Sequence, residues 1–427
     1  MAIDHHHANA TLARLVKAHG GPALAERLAP KAGEQTPPGA KGTSVDRAAL
    51  EARWARLNAN EDARASLLDE FTIAGAETYS RNVEHLIGTV KVPVGIAGPI
   101  RVNGAHAQGQ YFVPLATTEA ALVASYNRGA QLITEAGGCS AVVISEGMTR
   151  APGFVFDTLH EAGRFVAWVM SNLHGVRRAG EATTRHGHLT DVRVTVEGSN
   201  VYLIFEFTTG DAAGQNMVTI ATQAICEFIL EQCPIAPRRW YVEANHSGDK
   251  KASAQAFTSV RGRSVTAEVL VPRQVIEERL HTTPAAMADY WRVSAIGGVM
   301  SGTIGVQGHY ANGLAALFLA CGQDVACVAE SAVGVTRLEL RGTDLYAAVT
   351  LPTLAVGTIG GGTGLPSQRA CLEILGLAGN GHANAFAEVA GAVALAGELS
   401  IVGALVANEF TRAHSSLARA ARGAANG

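Results

Sequence analysis

The sequence predicts an α+β protein in which a small ferredoxin-like unit is inserted into a larger unit of helices and sheet. Between residues 152 and 242, segments follow one another in the order βαββαβ, the order of the ferredoxin-like split fold. The flanking segments, 81–151 and 243–427, are rich in glycine and alanine and carry long apolar helical patterns. No GxGxxG sequence occurs in the chain, so a Rossmann fold is excluded.

Residues 1–80 form an N-terminal helical region in this interpretation. Apolar residues recur at helical spacing over 8–28 and again over about 46–58. The segment 29–44 between them is rich in Pro, Gly and Lys, which predicts a linker. His5–His7 are interpreted as an unstructured tail, either a metal-binding fragment or the remnant of a tag.

The stretch 114–129 joins a strand to a helix and carries a single acid, Glu119. A strand over 110–113 leads into it. Thr117 or Thr118 is predicted to cap the helix, with Glu119 in the first turn, where the helix dipole favours an anion. An acid in such an apolar setting is suited to proton transfer. The competing interpretation is an acid that merely supports the start of the helix.

The small unit contains a candidate phosphate site. After an apolar strand over 140–145, the predicted elements are the strand 154–156, helix 160–173, strands 192–196 and 201–207, helix 213–230 and strand 240–243. The segment 209–217 before the second helix is polar and bears glycines, and a helix start offers unpaired N–H groups to a phosphate. Many helices begin this way, so the signal alone is weak.

The larger unit contains charged residues in glycine-rich or apolar settings. Lys250 and Lys251 follow an acid in a Gly/Ser turn, which is typical of a solvated loop and also suits a cation that stabilises an oxyanion. Asp324 ends an apolar helix, where a buried acid needs a charged partner such as lysine. Residues 357–364 form a glycine loop, and a histidine near the C-terminus, His414, is most often an inert surface residue.

Composition limits the classes of partner. The net charge of −3 gives no indication of nucleic acid or of an anionic membrane. Six cysteines without CxxC spacing indicate reduced core residues in a cytoplasmic protein without a metal site, and no signal peptide is evident. The apolar run 389–407 has the length of a membrane span, but Glu398 near its middle favours a helix buried in the protein.

Eight motifs in order carry a resemblance to a known family. They are VPVGIAGP (92–99), PLATTEAALVASYNRG (114–129), EGMTRAP (146–152), GDAAGQNM (210–217), GDKK (248–251), HYANGLAALFLACGQD (309–324), GTIGGGTGLP (357–366) and AGELS (396–400). On these motifs the chain resembles the catalytic portion of class I 3-hydroxy-3-methylglutaryl-CoA (HMG-CoA) reductases, in a soluble form without the membrane anchor that some relatives carry.

The resemblance implies a reduction of HMG-CoA by two hydrides to mevalonate and free CoA. Lys250 is expected to polarise the thioester carbonyl, and Glu119 to supply a proton as the bound aldehyde is reduced. Asp324 is expected to lie between these two residues and couple their protonation, while His414 protonates the departing thiolate. The resemblance also implies a homodimer or higher homo-oligomer with the site at a subunit interface.

The same resemblance implies binding residues and a cofactor. Substrate-binding positions are Arg150, for the acyl carboxylate, with Ser125, Asn127, Asn245, Lys251, His309 and Asn312. Cofactor-binding positions in the small NADP-binding domain are Thr184, Arg185, Asp211, Gly214, Gln215, Asn216 and Met217, joined by Gly360, Gly361, Gly362, Thr363 and Arg419 of the larger unit. Arg185 favours NADPH over NADH because a guanidinium suits the ribose 2′-phosphate.

The chain departs from the family pattern at three positions, and these leave alternatives open. Ala213 and Gln215 stand where the family more often has methionine, and Ala413 replaces a serine before the terminal histidine. The alternatives are a paralogue that reduces another branched acyl-CoA, an enzyme that oxidises mevalonate with NAD, and a non-catalytic CoA-binding scaffold. The sequence leaves the direction, the cofactor preference, the size of the assembly and the role of residues 1–80 undetermined.

Overall fold

The structure, a computed structural model, describes residues 4–31 and 42–409. Within this part of the chain the strands are β1 (Val94–Gly104), β2 (Gln108–Ala116), β3 (Cys139–Arg150), β4 (Gly153–Val155), β5 (Leu189–Glu197), β6 (Asn200–Phe207), β7 (Arg239–Tyr241), β8 (Gly262–Val271), β9 (Gly305–Val306), β10 (Gly334–Arg341) and β11 (Asp344–Leu354).

The helices occupy both the N-terminal region and the spaces around the sheet. They are α1 (His5–His19), α2 (Gly21–Leu28), α3 (Arg47–Trp54), α4 (Glu61–Leu67), α5 (Glu70–Ala74), α6 (Ala76–Tyr79), α7 (Leu122–Glu135), α8 (Leu159–Ser171), α9 (Leu173–Glu181), α10 (Gln215–Gln232), α11 (Arg273–Leu280), α12 (Pro284–Ser301), α13 (Tyr310–Ala320), α14 (Val328–Ser331), α15 (Pro366–Ile374) and α16 (Ala383–Val406), with 3₁₀ turns at Ala254–Phe257, Val325–Cys327 and Gly361–Gly364.

One long strand, β3, connects the two parts of the protein. The sheet order is β7-β4-β6-β3-β8-β11-β10-β9. Strand β1 pairs with both β3 and β2, and β5 pairs with β6. The first part of β3, up to Gly147, pairs with β8, and its last three residues, Met148 to Arg150, pair with β6. Arg150 therefore lies where the larger sheet passes into the small unit.

The small unit has the predicted βαββαβ character. Strand β4 pairs with both β6 and β7, and β5 pairs with β6, all antiparallel. The resulting order β7-β4-β6-β5 is that of a split fold in which the first and third strands are central. Helices α8 and α9 form one of its crossovers and α10 the other. The α+β fold class is confirmed.

The core of the larger unit is built around α16. Most of this helix is buried, and a side chain at Gly129 of α7 would place its Cβ 1.9 Å from the Ala396 carbonyl oxygen, so the two helices approach through this glycine. Within the described residues, one helix, Ala383–Val406, is long and apolar enough to cross a membrane, with mean hydropathy 2.0, but 83% of its apolar window is buried inside the protein. The predicted buried helix is thus confirmed, and the six cysteines are buried and free, as expected.

Three local predictions are wrong. The first helix is split at Gly20, whose φ of 73° leaves the helical region. His5–His7, predicted to be an unstructured tail, form the first turn of α1 because the Asp4 side chain caps this helix. The helix after β2 begins at Leu122, behind Ala121 in a left-handed conformation, so Glu119 precedes the helix and does not lie in its first turn. Glu119 is exposed, and its N–H donates to the Thr117 hydroxyl at 3.0 Å.

Candidate active site

A cleft of about 610 Å³ brings four distant segments together. Its walls come from the start of α10, from Lys250, from the end of α13 with the turn after it, and from the glycine loop before α15. The predicted site residues among its lining are Gly214, Gln215, Asn216, Met217, Lys250, Asp324, Gly360, Gly361, Gly362 and Thr363. The cleft therefore collects most of the predicted cofactor positions around two of the four predicted catalytic residues.

Lys250 and Asp324 form an ion pair in this cleft. The Lys250 Nζ lies 2.8 Å from Asp324 Oδ2, and the two side chains are 39% and 42% exposed. The hydrogen bond to Asp324 raises the pKa of the Lys250 ammonium, and desolvation offsets only part of this effect. Lys250 also has a φ of 55°, a left-handed conformation that is rare for a residue with a side chain. The surroundings must hold this conformation in place.

Buried charges lie directly behind Lys250. Asp249 accepts from Arg261 at 2.5 Å and from Arg150 at 2.9 Å, while Arg261 donates from Nε to Glu330 at 2.6 Å. Burial alone would raise the pKa of Asp249, but Arg261 and Arg150 outweigh it and hold the pKa of this carboxyl below its usual range. Arg150, predicted to bind the acyl carboxylate, is thus engaged with acids of its own chain.

The start of α10 is shaped by Gly214. Its φ is 80°, and a Cβ there would lie 2.2 Å from Thr209 Cγ2, so only glycine fits. The Asp211 carboxylate, predicted to bind the cofactor, instead accepts from the N–H groups of Gly381 and Ala383 at the start of α16. The Asp211 side chain therefore joins the small unit to the core helix.

The loop with Thr184 and Arg185 lies beside the same helix start. The Thr184 hydroxyl accepts from the N–H groups of His186 and Gly187, and a Cβ at Gly187 would lie 2.6 Å from Met217 Cε. Arg185 is exposed at the tip of this loop. A guanidinium is thus available next to the predicted dinucleotide segment.

A second group of predicted residues gathers at the other end of α13. Asn312 donates to Glu119 Oε1 at 3.4 Å, and the His309 Nδ1 lies 3.0 Å from the Tyr126 hydroxyl. Ser125 is hydrogen-bonded to Ser400, and Asn127 accepts from the Gly98 N–H. Glu398 of α16 accepts from the N–H groups of Gly308 and His309 and so fixes the backbone of this group.

The two groups do not meet within one chain. Helix α13 has 11 residues, which corresponds to a length of roughly 16 Å, and Glu119 and Asp324 lie at its opposite ends. Between the described residues, no hydrogen bond or ion pair joins Glu119 to Lys250, Asp324 or Arg150. Asn245 and Lys251 lie in the exposed turn around Lys250, where the Lys251 Nζ donates to the Asp249 carbonyl. His414 and Arg419 lie outside the described residues.

A buried arginine that the sequence analysis missed, Arg263, holds the cleft group in place. Arg263 is buried and donates to the carbonyls of Gly210 and Val356 and to the Asn384 side chain, so it clamps the dinucleotide segment to the glycine loop. Burial lowers the pKa of Arg263. The available signal was the pair of arginines at 261 and 263 at the start of a strand with apolar alternation, where exposed charges are not expected.

These features define the class of the protein: a two-part α+β fold with a lysine–aspartate pair in a cleft between a ferredoxin-like unit and a larger unit of sheet and helices. The model of the hydroxymethylglutaryl-coenzyme A reductase family matches residues 49–419, and the chain belongs to this family.

Relatives and a solved structure agree with this assignment. The chain is 46% identical over 354 residues to the 3-hydroxy-3-methylglutaryl-coenzyme A reductase of Methanothermobacter thermautotrophicus. The aligned region covers 82% of this chain and 89% of the relative. It is 42% identical over 382 residues to the enzyme of Pyrococcus horikoshii, covering 87% and 92%. A class II enzyme of Streptococcus pneumoniae bound to NADPH is similar with a TM-score of 0.63 at 20% identity, covering 83% and 86% of the two chains. At this identity the likeness shows the fold.

Proposed function

We propose that this protein reduces (S)-HMG-CoA in two steps to mevalonate and CoA, with NADPH as the reductant. The observation that carries the proposal is the Lys250–Asp324 pair in a cleft lined by a helix start and a glycine loop. An assay of HMG-CoA with NADPH and with NADH, followed as consumption of the reduced cofactor, tests it directly. Absence of turnover with both cofactors in a folded preparation would refute the proposal.

The residues of the cleft fit a dinucleotide. The first N–H groups of α10 have no partner within the helix and suit a phosphate, and the glycine loop leaves room for close approach. NADPH, when bound, supplies the two hydrides. Gly214, Gln215, Asn216 and Met217 are the proposed binding residues on one side, and Gly360 to Thr363 on the other.

Lys250 acts on the acyl group. Hydride addition to a carbonyl creates an alkoxide, and a fixed ammonium stabilises that charge far better than water does. Asp324 keeps Lys250 charged and oriented, as the 2.8 Å contact and the raised pKa of the ammonium indicate. Glu119 is the proposed proton donor to the aldehyde intermediate, and His414 the proposed donor to the departing thiolate.

The proposed active unit is a homodimer or higher homo-oligomer. Glu119 and Lys250 do not meet in one chain, and a site shared between subunits would unite them. The C-terminal part of α12 presents an exposed apolar surface. Its residues Val293, Ile296, Val299 and Met300 are 73%, 63%, 72% and 82% exposed, and they lie beside Gly297 and Gly298. Exposed apolar faces of this kind mark association sites, and the strand and loop after α12 lead straight to His309.

A charge on this surface is expected to break the assembly. Ile296→Glu should shift the protein from oligomer to monomer in light scattering and remove reductase activity, because a carboxylate in an apolar interface is costly. Leu159→Glu, which alters an exposed leucine at the start of α8 in the small unit, is the control and should leave both unchanged. An active monomeric variant would contradict the shared site.

The cofactor preference is proposed to rest on Arg185. Replacing it by alanine should raise the KM for NADPH about tenfold, the value of one charge-assisted hydrogen bond, and leave the KM for NADH unchanged. Arg177→Ala, on the exposed side of α9, is the matched control. An equal change for both cofactors would remove Arg185 from recognition of the 2′-phosphate.

Finer assignments rest on the motifs. We assign the chain to class I because the eight motifs follow the class I pattern, and we place it in the cytoplasm because its six cysteines are buried and unpaired. The proposed division is an N-terminal region 1–80, a small NADP-binding domain 152–242 and a substrate domain 81–151 with 243–427. The end of β3 at Arg150 and the end of β7 at Tyr241 support the two boundaries of the small domain.

A further inference from the structure

Arg261 connects three segments from a buried position behind the cleft. Its side chain is 2% exposed. It donates to Glu330 Oε2 at 2.6 Å, to the Thr149 carbonyl at 2.5 Å and to Asp249 Oδ1 at 2.5 Å. One guanidinium thus ties the end of β3 and the helix α14 to the loop that carries Lys250.

The contact with Asp249 bears on Lys250 because the two residues are adjacent in the chain. Asp249 precedes Lys250, whose φ of 55° is unfavourable for a residue with a Cβ. The other Asp249 oxygen accepts from Arg150, so the carboxylate is held from two sides. With Asp249 fixed, the Lys250 backbone keeps the conformation that directs its ammonium to Asp324.

We propose that Arg261 is a positioning residue for the reduction, which holds the Lys250 backbone in its left-handed conformation through Asp249. This inference rests on the proposed function, because it takes Lys250 as the group that stabilises the alkoxide. A small displacement of such a group lowers the rate without abolishing binding.

A lysine could not replace Arg261 in this role. The planar guanidinium serves three acceptors that lie in different directions, whereas an ammonium on a flexible chain has no fixed fork. Glu330 neutralises the buried guanidinium, and among the described residues no hydrogen bond joins its carboxylate to the Lys250 loop. Of the two carboxylates that Arg261 contacts, Glu330 therefore stabilises the guanidinium, whereas Asp249 transmits its position to Lys250.

The test compares four full-length variants in steady-state assays: Arg261→Lys, Asp249→Asn, the double variant with both changes, and Glu330→Gln. Arg261→Lys should lower kcat roughly 100-fold while the KM for NADPH stays within about twofold of the parent value. Glu330→Gln should lower the melting temperature by about as much as Arg261→Lys does, yet keep kcat within about twofold of the parent value. Arg261→Lys combined with Asp249→Asn should fall no further than the worse single variant, because both act through one contact.

The outcomes separate this inference from the proposed function. A parent-like kcat in folded Arg261→Lys, or a loss of kcat in Glu330→Gln in proportion to its lost stability, would overturn the positioning role. Independent, additive losses for the Arg261 and Asp249 changes would overturn it too. A parent enzyme without turnover on HMG-CoA would instead refute the proposed function.

Discussion

Lys250→Met is expected to abolish the reduction of HMG-CoA while the protein stays folded. Among the described residues, the Lys250 ammonium is the one cation paired with Asp324, and removing a preorganised group that stabilises an oxyanion costs about 10²- to 10³-fold in kcat. The Lys250 side chain is 39% exposed, so the free energy of unfolding should change little. Cofactor consumption, circular dichroism and cofactor binding on the same preparation measure these three quantities.

Lys251→Met provides the control for this prediction. Its ammonium donates to the Asp249 carbonyl in the same exposed turn, and it is proposed to bind substrate rather than to act on the carbonyl. The change should raise the KM for HMG-CoA and leave most of kcat. If Lys250→Met retained activity, the alkoxide would have another partner and the proposed chemistry would have to be abandoned.

The pH profile of an Asp324 variant tests the same pair from the other side. The hydrogen bond to Asp324 raises the pKa of Lys250, so the ammonium form persists to higher pH than in an unpaired lysine. Asp324→Asn removes this stabilisation, and the alkaline limb of kcat should move to lower pH. A limb that stays in place would mean that a group other than Lys250 titrates there.

The order of elements was predictable because it depends on local patterns. The βαββαβ sequence follows from alternation and helical spacing that each segment carries within itself, and the strands pair as that order requires. The apolar run around Glu398 was likewise identifiable as a core helix from its charge and small residues. The resemblance of the motifs to a known family then predicted catalytic and binding roles for residues that are far apart in the sequence.

The site could be predicted only in part because its geometry is set by long-range contacts. Nothing near Asp211 in sequence indicates that its carboxylate binds the start of α16, 170 residues later. The left-handed Ala121 delays α7 and leaves Glu119 outside the helix, against the local capping signal. Arg261 and Arg263 can be buried because backbone carbonyls and carboxylates accept their hydrogen bonds. Several of these acceptors lie on segments about 100 residues away, so the local sequence does not reveal them.

Glu398→Ala is expected to cause the largest loss of stability among single substitutions near the site. Glu398 is 1% exposed, and it accepts from the N–H groups of Gly308 and His309 at 2.7 and 2.8 Å and from the Thr336 hydroxyl at 2.7 Å. Alanine would remove the acceptor of the buried Thr336 hydroxyl and of the Gly308 and His309 N–H groups, which are less buried, and this costs about 2 to 4 kcal/mol in the free energy of unfolding. Denaturant unfolding measures this loss.

The same substitution should weaken substrate binding, because the carboxylate holds the backbone that presents His309 and Asn312. A control on the same helix is Glu388→Ala, about three turns earlier; Glu388 accepts from the N–H groups of His106 and Ala107, remote from the proposed substrate residues. Glu388→Ala should lower the free energy of unfolding but keep the KM for HMG-CoA. Glu398→Gln retains one acceptor oxygen, so its free energy of unfolding and its KM should fall between those of the parent and of Glu398→Ala. If Glu398→Ala and Glu388→Ala changed KM alike, the effect would reflect general loosening of the core, and Glu398 would have no particular connection to the substrate end of α13.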